Sequence, residues 1–376
     1  MKNMAQSKVV FSDIRVDVNR ESLLDKLERV VRKAGIETID FKNKFVAVKI
    51  HFGETGNLSF LRPNYAKRVV DVLRPLGALP FLTDCNTLYV GRRKNALDHL
   101  DCAMENGFSP LSCGCQMIIA DGLKGTDDVA VPVRGGEYVK AARIGRAIMD
   151  ADIVISLNHF KGHECTGFGG AVKNVGMGCG SRAGKMEQHM EGKPSVHADK
   201  CRACRACLRE CGQDAIVFDA AGKASIVPAT CVGCGRCIGA CNFDAIENVN
   251  WNSNALLAKK MAEYALAVLD GRPHFHINVA TQISPHCDCH GSNDAPIIPD
   301  VGIFASLDPV AVDQAAADLC MRQPVLANSM AGDAIKAGST PGDPFGLAFP
   351  NTDWRETLAH AEKIGVGTRA YALETV

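Results

Sequence analysis

Eight cysteines stand in two runs of one spacing: Cys201, Cys204, Cys207 and Cys211, then Cys231, Cys234, Cys237 and Cys241. Each run reads C-x2-C-x2-C-x3-C and continues into Asp-Ala-Ile. Thiolates are soft donors and suit iron, sulfide-bridged clusters and zinc. Three cysteines at such short intervals let one loop wrap three ligands around a cube of iron and sulfide. The fourth then sits on the helix that follows and reaches a second cube. Cys201, Cys204, Cys207 and Cys241 are therefore expected to hold one [4Fe-4S] cluster, and Cys231, Cys234, Cys237 and Cys211 the other. Zinc sites or a disulfide mesh compete with this reading, but duplicated spacing over eight cysteines argues against both.

A second concentration of donors is "PHCDCHG", Pro285 to Gly291. In extended backbone, residues two apart point the same way, so Cys287 and Cys289 would present two sulfurs to one site, flanked by His286 and His290. Three readings stay open. The pair holds a third metal or iron–sulfur cluster, completed by Cys165, Cys179 or His163. It is a redox-active dithiol. Or it is unligated cysteine in a tight loop. "SCGC", with Cys113 and Cys115, has the same spacing. Cys102 and Cys320 lie in apolar, helix-like settings and read as core.

Polar residues recur after predicted strands. His51 follows "FVAVKI"; Asp84, Cys85 and Asn86 follow "PFLT"; "QISPHCDCHG" follows "HINVAT"; "LDPVAVD" follows "VGIFAS". The longest such segment, "NHFKGHECTGFGGAVKNVGMGCG", follows "ADIVISL". Its glycines free the backbone for close approach, Lys161 and Lys173 add positive charge, and His163 can carry a proton or bind metal. "GGAVKNVGMG" is expected to open a helix whose N–H groups suit an anion. Five such ends suggest a common rim, where open α/β sheets bind ligands. Lys49, inside a buried-looking strand, needs a charged partner. Asp308 reads as a helix cap.

These residues need a scaffold. Strand-like runs at Phe45–Ile50, Ala151–Leu157, His276–Thr281 and Val301–Ser306 alternate with helix-like runs, including "PNYAKRVVDVLRPLG" and "NALLAKKMAEYALAVLDG". The alternation predicts an α/β layered fold with a largely parallel sheet. Lys193 to about Asn248 breaks it, and it resumes afterwards. The expected organisation is an α/β domain in two parts, 1–192 and 249–376, around a small α+β insert, 193–248.

Over some fifty residues the insert resembles bacterial two-cluster ferredoxins, although Gly212 and Asn242 replace the proline that usually follows the fourth cysteine. Lys200, Arg202, Arg205 and Arg209 make its first run basic, which raises a cluster's potential or docks an acidic donor. Across nearly the whole chain, "HFKGHECTGFGGAVKNVGMG", "CDC" and "VGIFASLDPVAVDQAAADL" resemble a domain-of-unknown-function family. Its members are often labelled iron–sulfur centre proteins, and many carry such an insert. The resemblance supports the α/β-plus-insert architecture and places motif positions at Lys161, His163, Gly169, Gly170, Lys173, Asn174, Cys287, Cys289, Asp308 and Asp313.

Lysine plus arginine and aspartate plus glutamate number 42 each, so no global basic field exists to hold nucleic acid. No apolar run has the length of a membrane span, and the N-terminus has no apolar signal core; a cytoplasmic location is expected. Neither a Walker nor a dinucleotide string occurs in the glycine segment. The expected activity is an iron–sulfur oxidoreductase fed by a ferredoxin- or flavodoxin-like donor. It would reduce a small anionic or carbonyl-bearing substrate held by Lys161 and Lys173, with His163 or His51 as proton source. Flavin stays open as a further cofactor, since its sites need no short motif. The rival is a non-catalytic electron carrier or cluster-delivery protein.

Overall fold

The run Phe45–Lys49 buries every residue after the first, and Ile153–His159 buries all of its residues. Buried, largely apolar runs of this kind form strands covered on both faces. The computed structural model describes residues 6–17, 20–88, 91–189, 193–231, 235–247 and 253–376. Eight strands form the main sheet: β1 (Ser7–Asp13), β2 (Phe45–Lys49), β3 (Leu79–Asp84), β4 (Gln116–Ile119), β5 (Ile153–His159), β6 (His274–Ala280), β7 (Gly302–Ser306) and β8 (Tyr371–Thr375). Their spatial order is β8-β1-β7-β6-β5-β2-β3-β4. Pairing is parallel throughout, except that β7 runs antiparallel to both β1 and β6. The expected α/β fold with a large, mostly parallel sheet is what forms.

Helices cover both faces. On one, α1 (Leu23–Lys33) and α2 (Pro63–Leu73) pack their apolar sides onto Val46, Val48, Ile153 and Ile155. On the other lie α3 (Ala171–Cys179), α4 (Arg182–His189), α5 (Asn254–Leu269), α6 (Pro309–Cys320) and α7 (Trp354–Lys363). α3, α5, α6 and α7 share a core with Val9, Val154 and Phe304. Alternate residues of each strand feed the two cores, as strand geometry requires.

The antiparallel β7 corrects one expectation. Ser306, its last residue, lies opposite His276 near the start of β6. "LDPVAVD" therefore leaves from the edge opposite the carboxyl rim. Asp308 caps α6, accepting from the Val310 and Ala311 N–H groups at 2.9 Å each. It also accepts from Ser7 and Thr368.

Between α4 and α5, the described residues of 195–247 build a two-fold pattern. The strand Ser195–Val196 pairs with Ile246–Glu247, and Ile216–Phe218 pairs with Ala224–Ile226. Each repeat's leading strand thus pairs with the other repeat's trailing strand. The short helices Ala206–Glu210 and Arg236–Ala240 both start after a left-handed residue, Arg205 (φ 61°) or Gly235 (φ 67°). Both end at a cysteine in nearly the same conformation, Cys211 (φ −91°, ψ 102°) or Cys241 (φ −86°, ψ 102°). The duplicated sequence is a duplicated backbone.

Candidate functional site

Among the described residues no two cysteines form a disulfide. Cys201, Cys204, Cys207 and Cys241 line one cavity, with Val196, Phe218 and Ile246. That set joins the first three cysteines of one run to the fourth of the other. Backbone N–H groups point at the sulfurs: Ala224 to Cys201 at 3.4 Å, Ala245 to Cys241 at 3.3 Å and Ala215 to Cys211 at 3.4 Å. Such donors favour the thiolate and tune clusters bound to it. They hold the Cys201 thiol below its usual value, whereas burial raises that of Cys207. Cys231, Cys237 and Cys211 belong to the second expected set; Cys234 lies outside the described residues.

A second cavity, of about 50 Å³, opens at the carboxyl rim of the main sheet. His51, Asp84, Arg93, His163, Lys173 and Lys185 are on its wall, with Lys49, Thr87, Cys85, Asn174, His189 and Cys289. Three lysines and one arginine thus face one carboxylate, Asp84. The Lys49 ammonium reaches Asp84 at 3.0 Å and Asn174 Oδ1 at 2.7 Å, so the buried lysine is half of a salt bridge. Burial alone would raise the Asp84 pKa, but Lys49, His51 and His99 hold it well below the usual carboxylate range.

His51 is boxed in by donors. Its Nδ1 accepts from the Gly53 N–H at 3.0 Å, and its Nε2 lies 3.0 Å from the Arg93 guanidinium. Burial, then the Arg93 charge, push its pKa well down. Arg93 also donates to Glu54 at 3.0 Å. It is 2% exposed, and its Nη2 has no hydrogen-bond partner among the described residues. Sequence reasoning missed Arg93 and Lys185, which sit in segments without a recognisable motif.

The glycine segment opens as a small hairpin, Lys161–His163 against Gly167–Gly169, with Glu164 to Thr166 at its tip. Gly162 is needed here: a Cβ would fall 2.5 Å from the Pro285 carbonyl oxygen. That close approach, with the Gly162 N–H donating to the Ser284 carbonyl at 2.8 Å, clamps the hairpin to the "PHCDCHG" loop. Lys173 on α3 donates to Cys287 Sγ at 3.2 Å. Lys161 is buried off the cavity wall, and its charge also acts on Cys287. The contact with Cys289, against the cost of burial, and then the two lysines hold the Cys287 thiol well below its usual pKa; Cys289 is pushed up by the same contact.

Around them, Glu164 lies 3.0 Å from His290 and 4.0 Å from His163. Asp288, between the cysteines, turns the other way and contacts the buried His159 at 2.9 Å; burial opposes ionisation of Asp288, but the His159 contact holds its pKa down, at about 2.

Other expectations change. The N-terminus of α3 is occupied from within the chain: Asp313 accepts from the Ala171 and Val172 N–H groups at 2.6 and 2.9 Å. Asn278 donates to the same carboxylate at 2.8 Å. The helix start therefore offers no anion site to a ligand. Cys179 stands at the far end of α3, where its carbonyl accepts from Cys85 Sγ. Cys113 and Cys115 precede β4, at the opposite edge of the sheet from the rim. Cys165 stays with His163 and Glu164, all three offering ligand atoms within 4.8 Å of one another.

The architecture and rim define an α/β protein with a cysteine-rich module and a cationic cavity at the carboxyl ends of its strands. A family model described as "Domain of unknown function (DUF362)" matches residues 46–318, and the chain belongs to that family. No curated protein matches the chain. Among solved structures it is similar to the lactate racemase apoprotein from Thermoanaerobacterium thermosaccharolyticum, at 13% identity and a TM-score of 0.35. That match covers 72% of this chain and 50% of the other, so the chain spans about half of its length. No helix among the described residues is long and apolar enough to cross a membrane.

Proposed function

We propose that the protein is an iron–sulfur oxidoreductase acting on a small anionic or carbonyl-bearing molecule. Residues 193–248 are its two-cluster, ferredoxin-like insert. Cys201, Cys204, Cys207 and Cys241 would hold one [4Fe-4S] cluster, and Cys231, Cys234, Cys237 and Cys211 the second. When bound, the clusters supply one-electron transfer.

The observation that carries this reading is a shared wall. Thr87 and Lys185 line the rim cavity, while their chain neighbours Leu88 and Met186 pack in one buried cluster with Cys201, Cys207, Cys237 and Cys241. One layer of residues thus separates the cysteine module from the cavity. Within the cavity, Arg93, whose Nη2 has no hydrogen-bond partner among the described residues, and Lys173 and Lys185 attract a negative group. Lys49 is already committed to Asp84. His163, buried on the wall, is the group positioned to give or take a proton. A ferredoxin- or flavodoxin-like protein would be the donor.

The test is anaerobic purification with iron and sulfide analysis, followed by reduction and exposure to small carboxylates and carbonyl compounds. About eight irons per chain are expected. Cys241→Ser should remove the cluster of the first run, about half of the iron. One acceptor class should reoxidise the reduced protein, and Lys173→Ala should slow that step. Colourless protein, or zinc in the cysteine module, would overturn the reading. Electron exchange with ferredoxins but with no small molecule would establish a carrier instead.

A further inference from the structure

The donors at the hairpin tip and the "PHCDCHG" loop form a cluster of their own. The ligand atoms of Glu164, Cys289 and His290 lie within 4.8 Å of one another. Glu164 Oε1 is 3.0 Å from His290 Nε2, and its Oε2 accepts from the Cys287 N–H at 3.4 Å. We infer that Glu164, Cys289 and His290 bind a borderline-soft divalent cation, zinc or ferrous iron, separate from the cysteine module.

The donor types carry the choice of metal. A mixed sulfur, nitrogen and oxygen set suits zinc or ferrous iron, whereas calcium and magnesium take oxygen alone. Three protein ligands leave a position for water or substrate, the pattern of reactive rather than structural zinc. Cys289 lies on the wall of the rim cavity, so that position would serve the molecule bound there. A metal ion at this place acts as a Lewis acid toward a carbonyl oxygen.

The surrounding residues support the ligands. Cys287 is fully buried and accepts from the Cys289 N–H at 3.4 Å and from Lys173 at 3.2 Å. It braces the loop as an outer partner, the part that second-layer groups play in metal sites. An ion pair between Glu164 and His290 would explain their contact. It would not require the Cys289 sulfur, from the residue before His290 on the same loop, to face the same point.

The experiment uses the full chain, purified without oxygen, its cysteine module loaded, treated with a mild chelator and titrated with zinc chloride. Zinc-edge X-ray absorption and elemental analysis read this site apart from iron. One zinc per chain is expected, with sulfur at about 2.3 Å and lighter donors at about 2.0 Å. His290→Ala and Cys289→Ser should each weaken zinc binding by more than about tenfold, while iron content and cluster spectra stay as in the parent. His290 is half exposed, so its replacement decides the matter if Cys289→Ser fails to fold. An all-sulfur zinc shell, unchanged affinity in His290→Ala, or a Cys287–Cys289 disulfide in place of bound metal would overturn the inference. None of these results depends on the clusters, so the electron-transfer reading stands or falls separately.

Discussion

Asp313 shows how a single side chain can be mistaken for a ligand contact. It sits on α6, yet its carboxylate serves the first turn of α3, where it replaces the anion expected from outside. Burial pushes its pKa up to about 6, against the stabilising hydrogen bonds. The sign follows from proton binding. Between about pH 4 and pH 6 the folded protein holds a proton at Asp313 that the unfolded chain has lost, so this group's contribution falls as pH rises. Asp313→Asn should be less stable throughout, because an amide offers one acceptor where two N–H donors wait. Its stability deficit should nonetheless narrow by roughly 1 kcal/mol from pH 5 to pH 7, read from urea midpoints. A constant deficit would mean that Asp313 is already ionised at pH 5.

At the level of elements, two packings hold the site. One is the hairpin clamp at Gly162. The other is the crossing of α3 and α5, where a Cβ on Gly176 would fall 2.1 Å from the Met261 carbonyl oxygen. Backbone cannot yield as a side-chain tip can. Alanine is a better helix former than glycine by about 1 kcal/mol, yet overpacking costs about 1–3 kcal/mol. Gly176→Ala should therefore be destabilising, lowering the thermal midpoint by several degrees, and it should disturb Lys173 and Asn174 on the same helix. An unchanged midpoint would show that the two helices can separate freely.

Across the whole molecule, the cysteine module is docked through charges. Lys94 pairs with Asp244, and Lys124 with Glu210. Arg182, 1% exposed, donates to the Lys94 and Lys124 carbonyls. It also fills the space where Gly239 lacks a side chain. Removing it should loosen α4 and the helix Arg236–Ala240 together. Hydrogen exchange on Arg182→Ala should show faster opening in both segments, by more than about tenfold, with iron content retained. Loosening of α4 alone would mean that the module is held by its other contacts.

Much of this was legible from residue types. The duplicated cysteine spacing appears as a duplicated backbone because helix starts, helix ends and thiol positions are local properties of a short repeat. The largely apolar runs at Phe45–Lys49 and Ile153–His159 became buried strands because sustained hydrophobicity leaves few other structures. Local sequence also indicated that Asp308 caps a helix and that Lys49 needs a partner. Strand direction was not legible: β7 looks like its parallel neighbours, and only the path of the chain reverses it, taking Asp308 from the rim. Arg93 and Lys185 carry no motif, Glu164 was passed over inside the glycine segment, and all three matter through neighbours far away in sequence. Spacing determines what a loop can grip, whereas long-range packing decides which loops meet. That is why the cysteine module could be read from the chain, and the cavity and the Glu164–Cys289–His290 cluster appeared only when the chain was folded.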